Sequence, residues 1–168
     1  VHALLWGCRS DIMRSLALSE AENRDSACIH ATCVAVGGQG LLIVGSSGAG
    51  KSGLALRMMA LGAALVADDR VALRMDQGHV MAEAMPHIGG LIEARGIGLL
   101  RVQPHDPVPV AYVLDLDQSE PARLPDPLTT PLLRQTVPLL RGASIPNLAE
   151  AMMQLLKMGR VDPEWPST

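Results

Sequence analysis

The run Gly45-Ser46-Ser47-Gly48-Ala49-Gly50-Lys51-Ser52 holds the residue types and spacing that point most directly to chemistry. It fits G-x-x-x-x-G-K-[ST], a pattern whose glycines let the backbone curl with its N–H groups turned inward. A chain of phosphates can then lie against those amides and the start of the following helix. Lys51 adds a mobile positive charge, and the Ser52 hydroxyl can bind magnesium. The flanks supply the required context. Leu41 to Val44 reads as a buried strand, and Ser52 to Ala60 reads as the first turns of a helix. Such a loop points to a nucleotide but leaves the reaction open, and a degenerate loop without nucleotide is the bland counterpart.

Acids decide more. Asp68-Asp69 closes the apolar run Ala63 to Ala67, where the next strand would return beside the first. One carboxylate there can hold magnesium, and a neighbour can orient or deprotonate an attacking hydroxyl. Adjacent strand residues face opposite ways, so a bend is needed to bring both into one cleft. A polar turn between two strands is the structural alternative. Glu93 and Arg95 alternate around Ala94, so they should share one face of a strand, holding a metal and a phosphate or pairing with each other. Asp115, after the apolar run Val108 to Leu114, is either a magnesium or water orienter or the polar end of a core strand. His30 alone reads as a hydrogen-bonded strand residue. No Cys/His spacing suggests zinc, and no G-x-S-x-G elbow suggests a hydrolase.

The elements around these residues belong to one domain. The 168 residues are 48% hydrophobic, with no Phe, one Tyr and two Trp, so the core must be aliphatic. A net charge of -3 gives no electrostatic case for nucleic acid or an anionic membrane, and no apolar run reaches spanning length. Cys8, Cys28 and Cys33 form no ligand array and are expected as reduced thiols in a cytoplasmic protein.

In chain order, residues 1–27 form an extension that is partly mobile or peripheral, with a short helix over about 11–22 and a polar connector over 19–26. Residues 28–36 read as one strand, turned by Gly37 to Gly40 into the strand before the phosphate loop. The helix after Lys51 sets Leu54, Met58 and Leu61 on one face and stops at Gly62. After the strand over 63–67, a hairpin joins 71–75 to 79–82. A strand over 91–95, a tight bend and another strand over 96–102 follow. Residues 108–116 form the most apolar later strand, 119–131 a surface loop, 132–139 a short strand and 145–158 a closing helix capped by Gly159. Residues 159–168 read as a tail. With so little room for crossover helices between 63 and 116, the sheets should be mixed and largely antiparallel.

Taken together, His30-Ala31, Gly45 to Ser52, Leu65-Val66-Ala67-Asp68-Asp69 and Ile92-Glu93-Ala94-Arg95-Gly96-Ile97-Gly98 resemble the catalytic domain of HPr kinase/phosphorylase. V-A-D-D combined with E-x-R-G-x-G carries most of the resemblance, which runs over about 28–158. It implies an α/β phosphate-loop domain similar to the nucleotide-binding core of phosphoenolpyruvate carboxykinase. It also implies an ATP- and Mg2+-dependent serine kinase of an HPr-like phosphocarrier protein of a phosphotransferase system. The reverse activity, removal of the phosphoryl group by inorganic phosphate, and assembly into hexamers come with it. By position, Gly45 to Ser52 with Lys51 hold the transferred phosphates. Ser52, Asp69 and Glu93 organise metal, Asp68 is the catalytic base, Arg95 holds phosphate or fixes Glu93, and His30 supports the acidic pair.

Two departures stand out. Typical members carry an N-terminal domain where this sequence has residues 1–27. The chain therefore resembles the short single-domain alphaproteobacterial form, whose partner belongs to a nitrogen-type phosphotransferase system. Near Leu140-Arg141-Gly142-Ala143-Ser144 the family's P-G-R-N-like segment is not maintained, which bears on the reverse reaction more than on the kinase. Two other functions fit the same residues: a kinase of another protein or of a small molecule, and a nucleotide-sensing domain that transfers nothing.

Overall fold

Two glycines fold the chain back just before the phosphate loop. Strand β2 (Thr32–Val36) and strand β3 (Gln39–Val44) pair antiparallel, Val36 opposite Gln39. Gly37 and Gly38 between them have φ of 58° and 77°. A two-residue hairpin turn with both φ positive matches the twist of its strands and favours glycine. β3 runs straight into the loop, and helix α1 (Lys51–Ala60) leaves it. The computed structural model describes residues 16–161.

Around this unit lie β1 (Ser26–Ile29), β4 (Ala64–Ala67), β5 (Val71–Asp76), β6 (His79–Ala84) and β9 (Val108–Ser119). With β2 and β3 they form a mixed sheet in the order β1-β5-β6-β9-β3-β2-β4. β9 is its spine. Its first residues pair antiparallel with β6, its middle lies parallel to β3, and its later residues lie parallel to β11 (Gln135–Ala143). β10 (Leu128–Leu132) pairs antiparallel with β11, and β7 (Leu91–Ala94) with β8 (Gly98–Arg101) makes a separate two-stranded sheet. Helix α2 (Leu148–Met158) closes the order. The expected α/β architecture with mixed, mostly antiparallel sheets is what forms.

The two-residue period of β3 divides the core. Leu41 and Ile43 join Leu54 and Met58 of α1 and Met152, Met153 and Leu156 of α2. Leu42 and Val44 join Val113, Leu73, Ala82, Leu132 and Val137 on the opposite face. β3 is therefore buried on both faces, as its uninterrupted apolar sequence requires. A rigid, doubly covered strand is a firm base for the loop that follows.

Several expectations are corrected. Residues 28–36 are two strands, because Ser26–Ile29 pairs with β5 whereas Thr32–Val36 pairs with β3 and β4. The bend between them carries His30. The expected helix over 11–22 lies partly outside the described residues; within them, Leu18–Ala21 is a single 3-10 turn, and Leu16 and Ala21 are buried in the core rather than peripheral. The 119–131 surface loop is shorter than expected, since β9 runs to Ser119 and β10 begins at Leu128. Leu133 and Arg134, with φ of 45° and 60°, turn β10 into β11, so the strand expected at 132 starts at Gln135. Leu61 caps α1 and is 46% exposed, off the buried face. Arg95 lies beyond the end of β7, in the turn.

Gly40 lies where β3 meets β9, and a Cβ there would stand 2.9 Å from both the Pro109 carbonyl oxygen and Val108 Cγ2. Gly40→Ala should therefore cost about 1–3 kcal/mol through overpacking, read as a lower urea midpoint; an unchanged midpoint would show that the two strands separate without penalty. Cys33 gives a pH test. Burial pushes its thiol from 9.0 up to about 12. The neutral buried thiol favours the folded state fully below the unfolded value, and that contribution is lost as pH rises from 9.0 toward about 12. Between pH 8 and 10 the wild-type urea midpoint should fall more steeply than that of Cys33→Ala. Equal declines would contradict the assignment.

Candidate active site

At the loop, Gly45 must be glycine on two counts. Its φ is 148°, and a Cβ would meet Ala49 Cβ at 3.1 Å and Leu116 Cβ at 3.3 Å. Gly50, with φ of 97°, starts α1, and its carbonyl accepts the first helical hydrogen bond from Leu54 N–H at 2.9 Å. Lys51 is buried. Its Nζ donates to the carbonyl oxygens of Gly45 at 2.8 Å and Ser46 at 3.0 Å. The ammonium is thus held against its own loop at the mouth of the helix, where anionic groups are favoured.

Asp68, just after β4, is half-buried and accepts hydrogen bonds on both oxygens. Its Oδ1 accepts the hydroxyls of Thr32 and Ser52, each at 2.8 Å, and its Oδ2 accepts Glu93 N–H at 3.0 Å. Three elements, β2, α1 and β7, converge on this one carboxylate. Asp69 leaves the strand in the left-handed conformation, φ 65°, so the adjacent acids do not follow simple strand alternation. Its Oδ1 lies 3.3 Å from His30 Nδ1, and its side chain is 71% exposed.

Between these groups lies a cavity of about 370 Å³. Ser47, Gly48, Gly50, Lys51 and Ser52 of the loop line one part of it, and His30, Thr32, Asp69, Glu93 and Arg95 line another. Glu93 and Arg95 do not pair with each other. Among the described residues neither side chain enters an ion pair or hydrogen bond, so both are available to a ligand. Asp68 does not line the cavity; it acts on it through Ser52 and Thr32.

The donor set suits a magnesium ion accompanying a polyphosphate. Magnesium takes one or two protein oxygens and fills its octahedron with phosphate oxygens and water. The Ser52 hydroxyl backed by the Asp68 carboxylate is such a set. Among the described residues no three His, Cys, Asp or Glu side chains gather into a cage, which an ion held mainly by phosphate and water does not need.

Two residues emerge only in the folded chain. Thr32 is fully buried in an apolar strand, and its place directly after the His30-Ala31 bend was the available signal. Asp117 accepts the N–H of Ser46 at 2.7 Å and its hydroxyl at 2.8 Å. Asp115, the acid singled out on that strand, instead accepts the Asp117 N–H at 2.8 Å and stays away from the cavity.

Comparisons with known proteins show what the chain is similar to. The profile of the family described as "HPr Serine kinase C-terminal domain" matches residues 22–105, half of the chain. HPr kinase/phosphorylase of Geobacillus sp. (strain WCH70) is 30% identical over 162 residues, covering 84% of this chain and 51% of the relative. HPr kinase/phosphorylase of Aromatoleum aromaticum is 32% identical over 155 residues, covering 80% and 50%. The chain thus spans about half the length of these curated relatives. The structure titled "Structure of the Hpr(Ser) kinase/phosphatase from Coxiella burnetii" superposes with a TM-score of 0.67 at 23% identity, covering 77% of this chain and 88% of that one. That likeness concerns the fold.

If Asp68 is the organiser, Asp68→Ala should strand three donors and cost about 1–3 kcal/mol, whereas Asp69→Ala should change stability by no more than about 0.5 kcal/mol. Chemical denaturation of both variants checks this. Equal losses would mean that the three hydrogen bonds to Asp68 contribute little.

Proposed function

The chain belongs to the HPr serine kinase C-terminal domain family, and from that premise we propose that it is an ATP-dependent kinase of a serine on an HPr-like phosphocarrier protein. One observation carries the reading. The phosphate loop with Lys51 and the exposed carboxylate of Asp69 face one cavity, so a bound polyphosphate and an acceptor hydroxyl can meet there.

In this reading the loop amides and Lys51 bind the phosphates and offset charge as it develops on them. Ser52, backed by Asp68, contributes to the magnesium site together with Glu93. Magnesium, when bound, draws charge off the phosphate oxygens. The serine oxygen forms a bond to the terminal phosphorus, the bond to the nucleoside diphosphate breaks, and the serine proton passes to a carboxylate. We assign that carboxylate to Asp69 rather than Asp68. Both Asp68 oxygens already accept hydrogen bonds, while Asp69 is exposed to the cavity and oriented by His30. Asp68 then takes the metal-side role first expected of Asp69. Arg95 is free to hold a phosphate oxygen.

The reverse reaction, phosphate-dependent release of the phosphoryl group, uses the same groups with Asp69 returning its proton. Arg141, in the segment that departs from the family pattern, lies 3.8 Å from Glu120 and does not line the cavity, which favours a weaker reverse reaction. The reading also carries a cytoplasmic homo-oligomer, a hexamer by resemblance. Among the described residues no helix is long and apolar enough to cross a membrane.

Labelled ATP and purified HPr-like protein test the reading. The wild-type chain should transfer label to serine, and Asp69→Asn should lose about 10²-fold or more in rate while still binding nucleotide. Nucleotide binding without transfer to any HPr-like protein would favour a sensor or another substrate. Full activity in Asp69→Asn would return the base role to Asp68.

A further inference from the structure

Asp117 lies outside the cavity, yet both its carboxylate oxygens are spent on the loop. Oδ2 accepts Ser46 N–H at 2.7 Å and Oδ1 accepts the Ser46 hydroxyl at 2.8 Å. Asp117 is itself fixed, because its N–H donates to Asp115 Oδ1 at 2.8 Å and the other Asp115 oxygen accepts from the Gln118 side-chain amide. On the other side of the same residues, the Gly45 and Ser46 carbonyls accept from Lys51 Nζ. Ser46 is therefore gripped at its amide and hydroxyl by Asp117 and at its carbonyl by Lys51. Gly45 runs close beside the same strand end, since a Cβ built on it would stand 3.3 Å from Leu116 Cβ and 3.5 Å from Asp117 Oδ1.

We propose that Asp117 is a positioning residue for phosphate binding: by fixing Ser46 it holds the two carbonyls that orient the Lys51 ammonium over the cradle. The inference rests on the reading of Gly45–Ser52 as a nucleotide-binding loop, and it adds the group that keeps that loop ready. A glycine- and serine-rich loop left free must be ordered when the ligand arrives, and that ordering weakens binding. Hydrogen bonds from neutral donors to a carboxylate are stronger than neutral ones, so a pair of them on one residue suits the task. Asp117 acts through Ser46 and Lys51 and needs no contact with the nucleotide.

Direct titration with ATP and magnesium, alongside transfer kinetics, tests this on the wild-type chain, Asp117→Ala, Asp117→Asn, Ser46→Ala and the double variant Ser46→Ala/Asp117→Ala. Asp117→Ala should weaken ATP binding about tenfold or more, with a smaller loss of kcat at saturating ATP. Asp117→Asn should recover most of the affinity, because its amide oxygen still accepts Ser46 N–H. In the Ser46→Ala background the Asp117→Ala effect should shrink, as expected of groups that act together. If Asp117→Ala fails to fold, Asp117→Leu, which fills the same space but accepts no hydrogen bond from Ser46, takes its place in the same comparison. A lower melting temperature with ATP affinity within about twofold of wild type would reduce Asp117 to a structural cap and overturn the proposal. Loss of transfer in both Asp117 variants at unchanged affinity would also overturn it, by giving the carboxylate a chemical role. A wild-type chain that binds no ATP would instead sink the underlying functional reading and this inference with it.

Discussion

The half-buried carboxylate of Asp68 is the contact on which the rest of the site depends. A charge taken partly out of water needs donors, and here they come from the Thr32 side chain, the Ser52 side chain and the Glu93 backbone. Each donor belongs to an element that must be in register for the site to exist. β7 and β8 form their own small sheet, outside the hydrogen-bonded order of the main one. The Glu93 N–H to Asp68 bond and the buried side chain of Ile92 are what seat that hairpin, and they bring Glu93 and Arg95 to the cavity.

Two neighbouring carboxylates acquire different work from backbone geometry. Asp68 ends β4 and faces inward; Asp69, at φ 65°, turns out of the strand and meets His30. The cost of placing a non-glycine residue in the left-handed region is modest for aspartate. One acid is thereby committed to holding structure and the Ser52 hydroxyl, and the other is left open to a ligand. Sharing the donors equally between them would leave neither free.

The features readable from sequence are those whose cause is local. The glycine pattern, the apolar strand before it and the helix after it are contiguous, as is the hairpin of β5 and β6 around its Gln77-Gly78 turn. The break at His30 was not readable, since nothing in residues 28–36 announces that Ile29 will pair with Val71 while Thr32 pairs with Ile43. β10 hid for a similar reason. Its Pro131 suggests a loop, yet the strand is held by β11 and by burial of Leu132. The V-A-D-D run announced an acidic site, but the division of labour within it depends on Thr32 and Glu93, which come from other strands. The motif resemblance carried the family, and the partners of the individual acids needed the fold.

Why Asp117 and not Asp115 reaches the loop follows from register. In the parallel pair of β3 and β9, Val44 lies level with Asp115. Both strands advance by the same rise per residue, so two residues further on Ser46 comes level with Asp117. Parallel pairing has ended there, and the Ser46 N–H finds a side-chain carboxylate where a continuing strand would offer a carbonyl. Asp115 lies too early by one strand period and serves its own strand instead. A one-residue slip of β9 would turn the acid to the opposite face and leave Leu116 against the loop. The glycine- and serine-rich loop is thus tied to a residue 71 positions later, through the alignment of β3 and β9.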